Sequence, residues 1–586
     1  MIRILKVVET MQRTLNFLVL LLTAVGAALA QGQPSIISGS VVNAASYAQP
    51  GLPNYGVAQG GIFILKGQNL GARGVVTASS FPLQTTMGGT SMKIMMQGAS
   101  FDVLMIYVVA GQSNLPYDQL AGIVPSNVPP GPHLITVTYN GQTSATEPVT
   151  IVPSAFGIFT INQAGIGPGV FTDPSFRVNT LINAAHPGDL LFIWGTGLGP
   201  ISGGDANAPP VGNLNVPVEV YVGNVKASIG YQGRSGCCSG VDQILITVPP
   251  GVLGCYVPVA VKIGNVVSNF ATMSVASSGS VCSDPSGFTT SDLVKLQNGG
   301  SLSKADIGIN RLSINVSIPG MGTLQGNVDQ GDGHFRVFSP TAILGSIRGA
   351  VTGVGKAFPS VGCVVIPYTP RSQQFFDNFL RVADDPVNFD LLDAGPALNF
   401  KGPNGSRQIQ RSDNGGPVYE QHADTVLGGG LPPVIPASPD YLSPGTYTVD
   451  NGSGGPGVGA FTATLTIPNT QVTWTNEAAV NNIPRSQDLN LTISGSRLVG
   501  IAGSSAGSQA GATLFCVAPS GSTSFTVPSW VLAALPVSAQ ATDVPTAIGF
   551  LGVGTALSSP SRFQARGVDV GYFSWGELQV KNVAFQ

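Results

Sequence analysis

A chain of 586 residues with a net charge of −3 is too long for one hydrophobic core and offers nucleic acid no basic footprint. Charged residues make up only 9%, while 77 glycines and 44 prolines supply about a fifth of the chain. This excludes a disordered polyelectrolyte and helical bundles with charged faces, and it fits many short strands joined by tight turns. The fold class expected is therefore all-β, built from several modules.

At the N-terminus, Arg3, Lys6 and Arg13 precede an apolar run from Phe17 to Leu29, which closes on Ala28-Leu29-Ala30. Basic residues, a short apolar stretch and small residues at a cut site make a secretory signal peptide, so residues 1–30 are expected to be removed before Gln31. A membrane anchor is the competing reading; the run is short for it, and polar Gln31-Gly32-Gln33 follows at once. No later segment is apolar enough to span a bilayer as a helix. The protein is thus expected to be secreted or extracytoplasmic, at the cell surface or in a periplasm.

Next comes a repeat. Gly60-Gly61-Ile62-Phe63-Ile64-Leu65-Lys66-Gly67-Gln68-Asn69-Leu70-Gly71 returns 128 residues later as Gly188-Asp189-Leu190-Leu191-Phe192-Ile193-Trp194-Gly195-Thr196-Gly197-Leu198-Gly199. Each copy reads as an apolar strand ending in a glycine turn. Val128-Pro129-Pro130-Gly131 matches Val248-Pro249-Pro250-Gly251, and each leads into an alternating strand: Ile135, Val137 and Tyr139, then Val257, Val259, Val261 and Ile263. Asn140-Gly141 and Gly264-Asn265 supply hairpin turns. A strand apolar at every second residue buries that face against another sheet. Two sandwiches are expected, over 31–155 and 156–282.

The glycine–strand–G-x-x-L-G pattern resembles IPT/TIG domains, which have immunoglobulin-like folds. Val41-Val42-Asn43-Ala44-Ala45-Ser46-Tyr47, Phe81-Pro82-Leu83-Gln84-Thr85-Thr86-Met87-Gly88-Gly89, Gly195-Thr196-Gly197-Leu198-Gly199-Pro200 and Val241-Asp242-Gln243 are together similar to a double-module family of secreted acidobacterial proteins. The resemblance covers about residues 41–276 and implies tandem Ig-like sandwiches and export, with no activity attached. One departure stands out. Gln112-Ser113-Asn114-Leu115-Pro116-Tyr117-Asp118-Gln119 replaces the short strand that the pattern carries there, which puts the first module's strand in question.

Beyond Cys282, Asp284-Pro285-Ser286-Gly287 reads as a hinge in a linker over 283–300, with a two-turn helix at Ser291–Asn298 closed by Gly299. A β-rich C-terminal region follows over 301–586, as one domain or two. Ser313–Ile318 and Leu489–Ser494 alternate as strands, and so do Phe461, Ala463, Leu465 and Ile467. Phe375, Phe376, Phe379 and Leu380 within Tyr368–Asp385 suggest a short helix, as does Pro528–Leu535. Gly452–Gly459 and Gly503–Gly511 read as loops. The run from Asp393-Ala394-Gly395-Pro396 to Tyr447-Thr448-Val449-Asp450 resembles a region attached to the same secreted family.

Motifs that could carry chemistry fail one by one, so no catalytic, cofactor or metal residue is expected. Gly503-Ser504-Ser505-Ala506-Gly507 fits a nucleophile elbow, but His133, His186, His334 and His422 all lie upstream, where a hydrolase would place its His downstream. Asp329-Gln330-Gly331-Asp332-Gly333-His334 lacks the alternate oxygens and distal Glu of a calcium loop, and Asp332-Gly333 reads instead as a type I′ turn. Gly353-Val354-Gly355-Lys356 lacks the first glycine and the Ser/Thr of a phosphate loop.

Two features remain. Six cysteines, without the paired knuckles of a zinc site, are expected to form disulfides. One of Cys237 and Cys238 should bond Cys255 and the other Cys282, a vicinal Cys237–Cys238 ring being the alternative, and Cys363 should bond Cys516. Aromatic residues, Tyr47, Tyr55, Trp194, Trp474, Trp530 and Trp575, could stack on sugars. Trp194, inside an apolar strand, is assigned to the core, and Trp474 and Trp575, among polar neighbours, are the ligand candidates. The function expected is a non-catalytic adhesion, scaffold or surface-interaction protein. A carbohydrate-binding accessory protein is the alternative, and an unfamiliar enzyme in the C-terminal half a third. Its partner would be an extracellular protein or a polysaccharide. A coplanar pair of exposed aromatics on one sheet face would favour the carbohydrate reading.

Overall fold

The computed structural model describes residues 32–113, 115–283, 288–318, 322–339, 361–368, 390–412, 418–420, 426–430, 432, 435–469, 472–495, 498–507, 509–538, 549–555 and 560–586. The expected signal peptide, the 284–287 hinge, Gly353–Lys356 and residues 369–385 of the expected helix lie outside them. The described chain is almost entirely β, with two β-sandwiches in tandem followed by a larger β-rich region. It divides into two compact units. One takes residues up to Val41, Ile64–Gly122 and Pro132–Val149; the other takes Val42–Phe63, Ile123–Gly131 and Thr150–Gln586.

The 128-residue repeat becomes a repeat of topology. Strands Ile62–Gln68 and Leu190–Thr196 are both seven residues long and begin 128 positions apart. In one sheet Ile62–Gln68 neighbours Asp118–Ile123 and then Leu104–Ala110; in another Leu190–Thr196 neighbours Asp242–Thr247 and then Ser228–Arg234. The facing sheets match as well. Glu147–Val152, Gly131–Tyr139 and Thr90–Met96 run in the order taken by Ala271–Val275, Gly254–Ile263 and Val218–Val222. Gly60 and Gly188, which open the two copies, have φ of +67° and +94°, a conformation that a side chain disfavours.

The strand put in question by the Gln112–Gln119 departure is present as Asp118–Ile123. Asp118 explains why. Its carboxylate accepts from the Leu70 backbone N–H at 3.0 Å and from Gly111 N–H at 2.8 Å. Asp242 accepts from Leu198 N–H at 2.8 Å, and Leu198 is the repeat counterpart of Leu70. Asp118-Gln119 is therefore the first copy of Asp242-Gln243, and each aspartate ties the glycine turn to the strand beside it. Asp242 is fully buried and also pairs with the buried guanidinium of Arg234, which donates to the Gly199 carbonyl at 2.6 Å.

The second sandwich shares one core between its two sheets. Ile158, Phe171, Leu191, Ile193, Ile244 and Ile246 of one sheet pack with Val220, Val222, Val257, Val259, Val261 and Met273 of the other. Helix Thr290–Gln297 follows, started by a Thr289–Asp292 capping box, and buries Leu293 and Leu296 beside the Cys255–Cys282 disulfide.

The C-terminal region centres on a large sheet. Strands Leu302–Ile318 and Gly322–Phe338 pair along their full length, and Leu302–Ile318 also runs parallel to Val568–Phe585. The pairing places Asp332 opposite Gly308 and Gly333 opposite Ile307, so Asp332-Gly333 lies inside a strand and is not a turn. Gly333 fits because the side chain of Leu398 packs over it, where a Cβ would stand. The Gly503–Gly511 loop is narrower than expected: Val499–Ala506 and Gly511–Ala518 are buried antiparallel strands, and only the connection between them is left as loop. The short helix is present at Ser529–Leu532, with Pro528 as its N-cap.

The covalent map differs from expectation at one end. Cys363 lies directly opposite Cys516 in an antiparallel pair and is bonded to it, with Cα atoms 4.1 Å apart. Cys255 is bonded to Cys282, which leaves Cys237 and Cys238 bonded to each other. The expected pairing of these two with Cys255 and Cys282 does not form. Strand Gly254–Ile263 carries Cys255 on the buried side facing the exit of the module, whereas Cys237 and Cys238 are exposed in the loop after strand Ser228–Arg234.

Candidate functional site

The tryptophans sort by strand alternation, and the sorting reverses the assignment made from sequence neighbours. Trp474 is 3% exposed and Trp575 is 9% exposed, and both sit in hydrophobic cores. Neither can be the ligand aromatic. Trp530 is buried too, stacked on Tyr221 with ring centroids 4.3 Å apart. Trp194 is half-buried, on the outer face of its strand. Leu191 and Ile193 take the core, so period two sends Leu190, Phe192 and Trp194 outward.

On that face three rings come together. Phe192 and Trp194 lie 6.4 Å apart between centroids. Phe176, from the 173–178 turn, lies 6.2 Å from each, parallel to Phe192 within 7°. Phe176 is 64% exposed. The Trp194 indole N–H donates to Thr172 Oγ1 at 2.9 Å, which ties the ring to the neighbouring strand.

The turn that presents Phe176 is organised by Asp173. Its Oδ1 accepts from the backbone N–H of Ser175 at 2.8 Å and of Arg177 at 3.0 Å, and its Oδ2 accepts from Arg177 Nε at 2.7 Å. Desolvation is the largest single influence on the Asp173 carboxyl and raises it, but the bonds from Arg177 and Ser175 together outweigh it and the net shift is downward. Phe176 takes φ of +60°, uncommon for a bulky residue, and such positions concentrate at ligand sites.

A groove of about 500 Å³ adjoins the rings, lined by Asp173, Arg177, Asn183, His186, Asp189 and Leu190 among others. His186 accepts no donor here: Nε2 faces the Gly279 carbonyl at 2.7 Å and Nδ1 faces Asp189 Oδ2 at 3.1 Å. Both partners are acceptors, so both ring nitrogens are satisfied only in the imidazolium form. The Gly279 carbonyl first, and Asp189 second, raise the His186 pKa above its usual value.

No family model matches the chain, and no curated protein does. Among solved structures it is similar to a mixed-linkage glucan utilisation locus SGBP-B of Bacteroides ovatus, in complex with a mixed-linkage heptasaccharide. That match is 13% identical with a TM-score of 0.18 and covers 39% of this chain and 45% of the other. Titin domains A168–A170 match at 8% identity and TM-score 0.14, over 71% of this chain and 91% of theirs. The Escherichia coli adhesin FdeC matches at 10% and 0.12, over 71% and 90%.

The chemistries set aside from sequence occupy structural positions. Ser505 is fully buried in a central strand, where its hydroxyl donates to the Pro536 carbonyl at 2.7 Å and meets Ser538 Oγ at 2.8 Å. Asp329 is buried and grips Arg311 through two bonds of 2.7 and 2.8 Å. His133 is buried in strand Gly131–Tyr139, His334 lies beside Arg336, and His422 is outside the described residues. Among the described residues no cluster of three or more His, Cys, Asp and Glu could hold a metal, and no helix is long and apolar enough to cross a membrane. Sequence reading missed Phe176, Phe192, Arg177 and His186. The usable signal was the strand itself, where Phe192 and Trp194 share the parity opposite to Leu191 and Ile193.

Proposed function

We propose that this is a non-catalytic extracytoplasmic surface protein of Ig-like modules, of the IPT/TIG-like kind, that holds a polysaccharide on the outer face of its second sandwich. The carrying observation is the ring row Phe176, Phe192 and Trp194, with Phe176 and Phe192 parallel and Phe176 largely exposed. Flat apolar rings at spacings near 6 Å offer successive sugars of a chain their C–H faces, and the groove alongside offers hydroxyl partners. Three disulfides suit an oxidising compartment. The duplicated aspartate tie, Asp118 to Leu70 and Asp242 to Leu198, supports the double-module resemblance.

The test is a glycan array probed with the full chain, followed by titration of the best binder. Phe176→Ala and Trp194→Ala should each weaken binding by roughly 1–2 kcal/mol, about five- to thirty-fold. Trp474→Phe should leave affinity unchanged. Absence of binding to any glycan, or undiminished binding by the Phe176 and Trp194 variants, would overturn the proposal.

A further inference from the structure

We infer that the polysaccharide is acidic and that Arg177 receives the carboxylate of a uronic-acid unit; the inference rests on the carbohydrate reading of the aromatic row. The charged groups facing the groove are Asp173, Arg177, His186 and Asp189. Asp173 spends its oxygens on Ser175 N–H, Arg177 N–H and Arg177 Nε. His186 spends both ring nitrogens on Gly279 and Asp189, and Asp189 Oδ2 is spent on His186.

Arg177 differs from the other three. Only its Nε and backbone N–H are committed, both to Asp173, and among the described residues its two terminal amino groups make no hydrogen bond to protein. Its side chain is 71% exposed and adjoins Phe176 in sequence, at the junction of ring row and groove. Holding Nε fixes the plane of the guanidinium while its outer edge keeps the N–H donors that match a carboxylate. Arg177 is paired with Asp173 and the His186 imidazolium with Asp189, one cation to each carboxylate, so an incoming carboxylate meets no net negative charge in the groove. A neutral sugar would bring hydroxyls, which gain less from a charged fork than a carboxylate does.

Matched polysaccharide pairs test this: a β-1,4-glucan, a galactan and a mannan, each against its C6-oxidised counterpart, titrated with the full chain at fixed ionic strength. At least one oxidised member should bind about tenfold more tightly than its neutral partner. Arg177→Gln should bring the oxidised and neutral members of the pair to equal affinity, any change in neutral binding being common to both, and Arg177→Lys, which keeps a charge for Asp173, should restore part of the difference. Trp194→Ala should weaken both members of the pair. Equal affinity within every pair, or an undiminished preference in Arg177→Gln, would overturn the acidic assignment while the aromatic face stands. Dextran sulfate binding as tightly, with the same loss in Arg177→Gln, would overturn it too, since the site would then read charge alone. If no glycan binds the native chain, the carbohydrate reading itself falls.

Discussion

Replacing Cys363 and Cys516 together by alanine tests how the C-terminal region is held. The two residues face each other across an antiparallel pair, both fully buried, and their bond spans 153 positions of sequence. On the chain-entropy model, closing a loop of that size removes about 5 kcal/mol of unfolded-state freedom. The Cys255–Cys282 bond spans 27 positions, which gives about 3.5 kcal/mol by the same relation. Residual structure in the unfolded chain lowers both figures and keeps their order. The Cys363/Cys516 double alanine variant should therefore lose more stability than the Cys255/Cys282 one, by about 1–2 kcal/mol. Tryptophan emission in equilibrium urea unfolding is a suitable assay, since Trp474 and Trp530 share the core that holds Cys363 and Cys516. If the longer bridge costs less than about 1 kcal/mol, or less than the shorter one, loop closure is not what it contributes.

Three further outcomes follow from the geometry. Asp118→Ala should destabilise the first module by about 1–3 kcal/mol, because Leu70 N–H is left buried without its acceptor; hydrogen exchange at Leu70 and Gly111 would report it, and unchanged protection would refute it. Glu219, hydrogen-bonded first by Lys226 and then by Lys262, is drawn down from 4.5 to about 2, so its contribution is present above pH 4.5 and lost as pH falls toward 2; an NMR titration midpoint near 4.5 would refute the pairing. His186 moves the other way. Its raised pKa means that the pair of bonds to Gly279 and Asp189 is complete below the usual value of 6.5 and that one of the two is lost as pH rises through the raised one; an NMR titration midpoint of His186 at or below 6.5 would refute it.

Sequence made the framework legible where a signal was local or repeated. The 128-residue register located strands Ile62–Gln68 and Leu190–Thr196, and the stop at Gly299 marked the end of helix Thr290–Gln297. The Cys363–Cys516 pair was legible because the four other cysteines lie close together in sequence. Glycine misled wherever its reason lay across the sheet. Gly333 makes room for Leu398 and Gly511 for the ring of Tyr368, and neither partner is near in sequence. A glycine read locally as a turn can equally be a strand position over which a distant side chain packs.

The aromatic site failed to show for a related reason, and its error has a physical form. Trp474 stands between Thr473 and Thr475, and such polar neighbours suggest an exposed setting. In a strand, however, immediate neighbours occupy the opposite face, so two exposed threonines argue that the residue between them is buried. Trp194 is the converse: Ile193 before it is buried, and Trp194 itself turns outward. The informative neighbours are those two positions away. For Trp194 that is Phe192, which continues the outward row, whereas Val472 before Trp474 belongs to the core. Parity within the strand, more than the polarity of adjacent residues, separates a packing tryptophan from one that can meet a ligand.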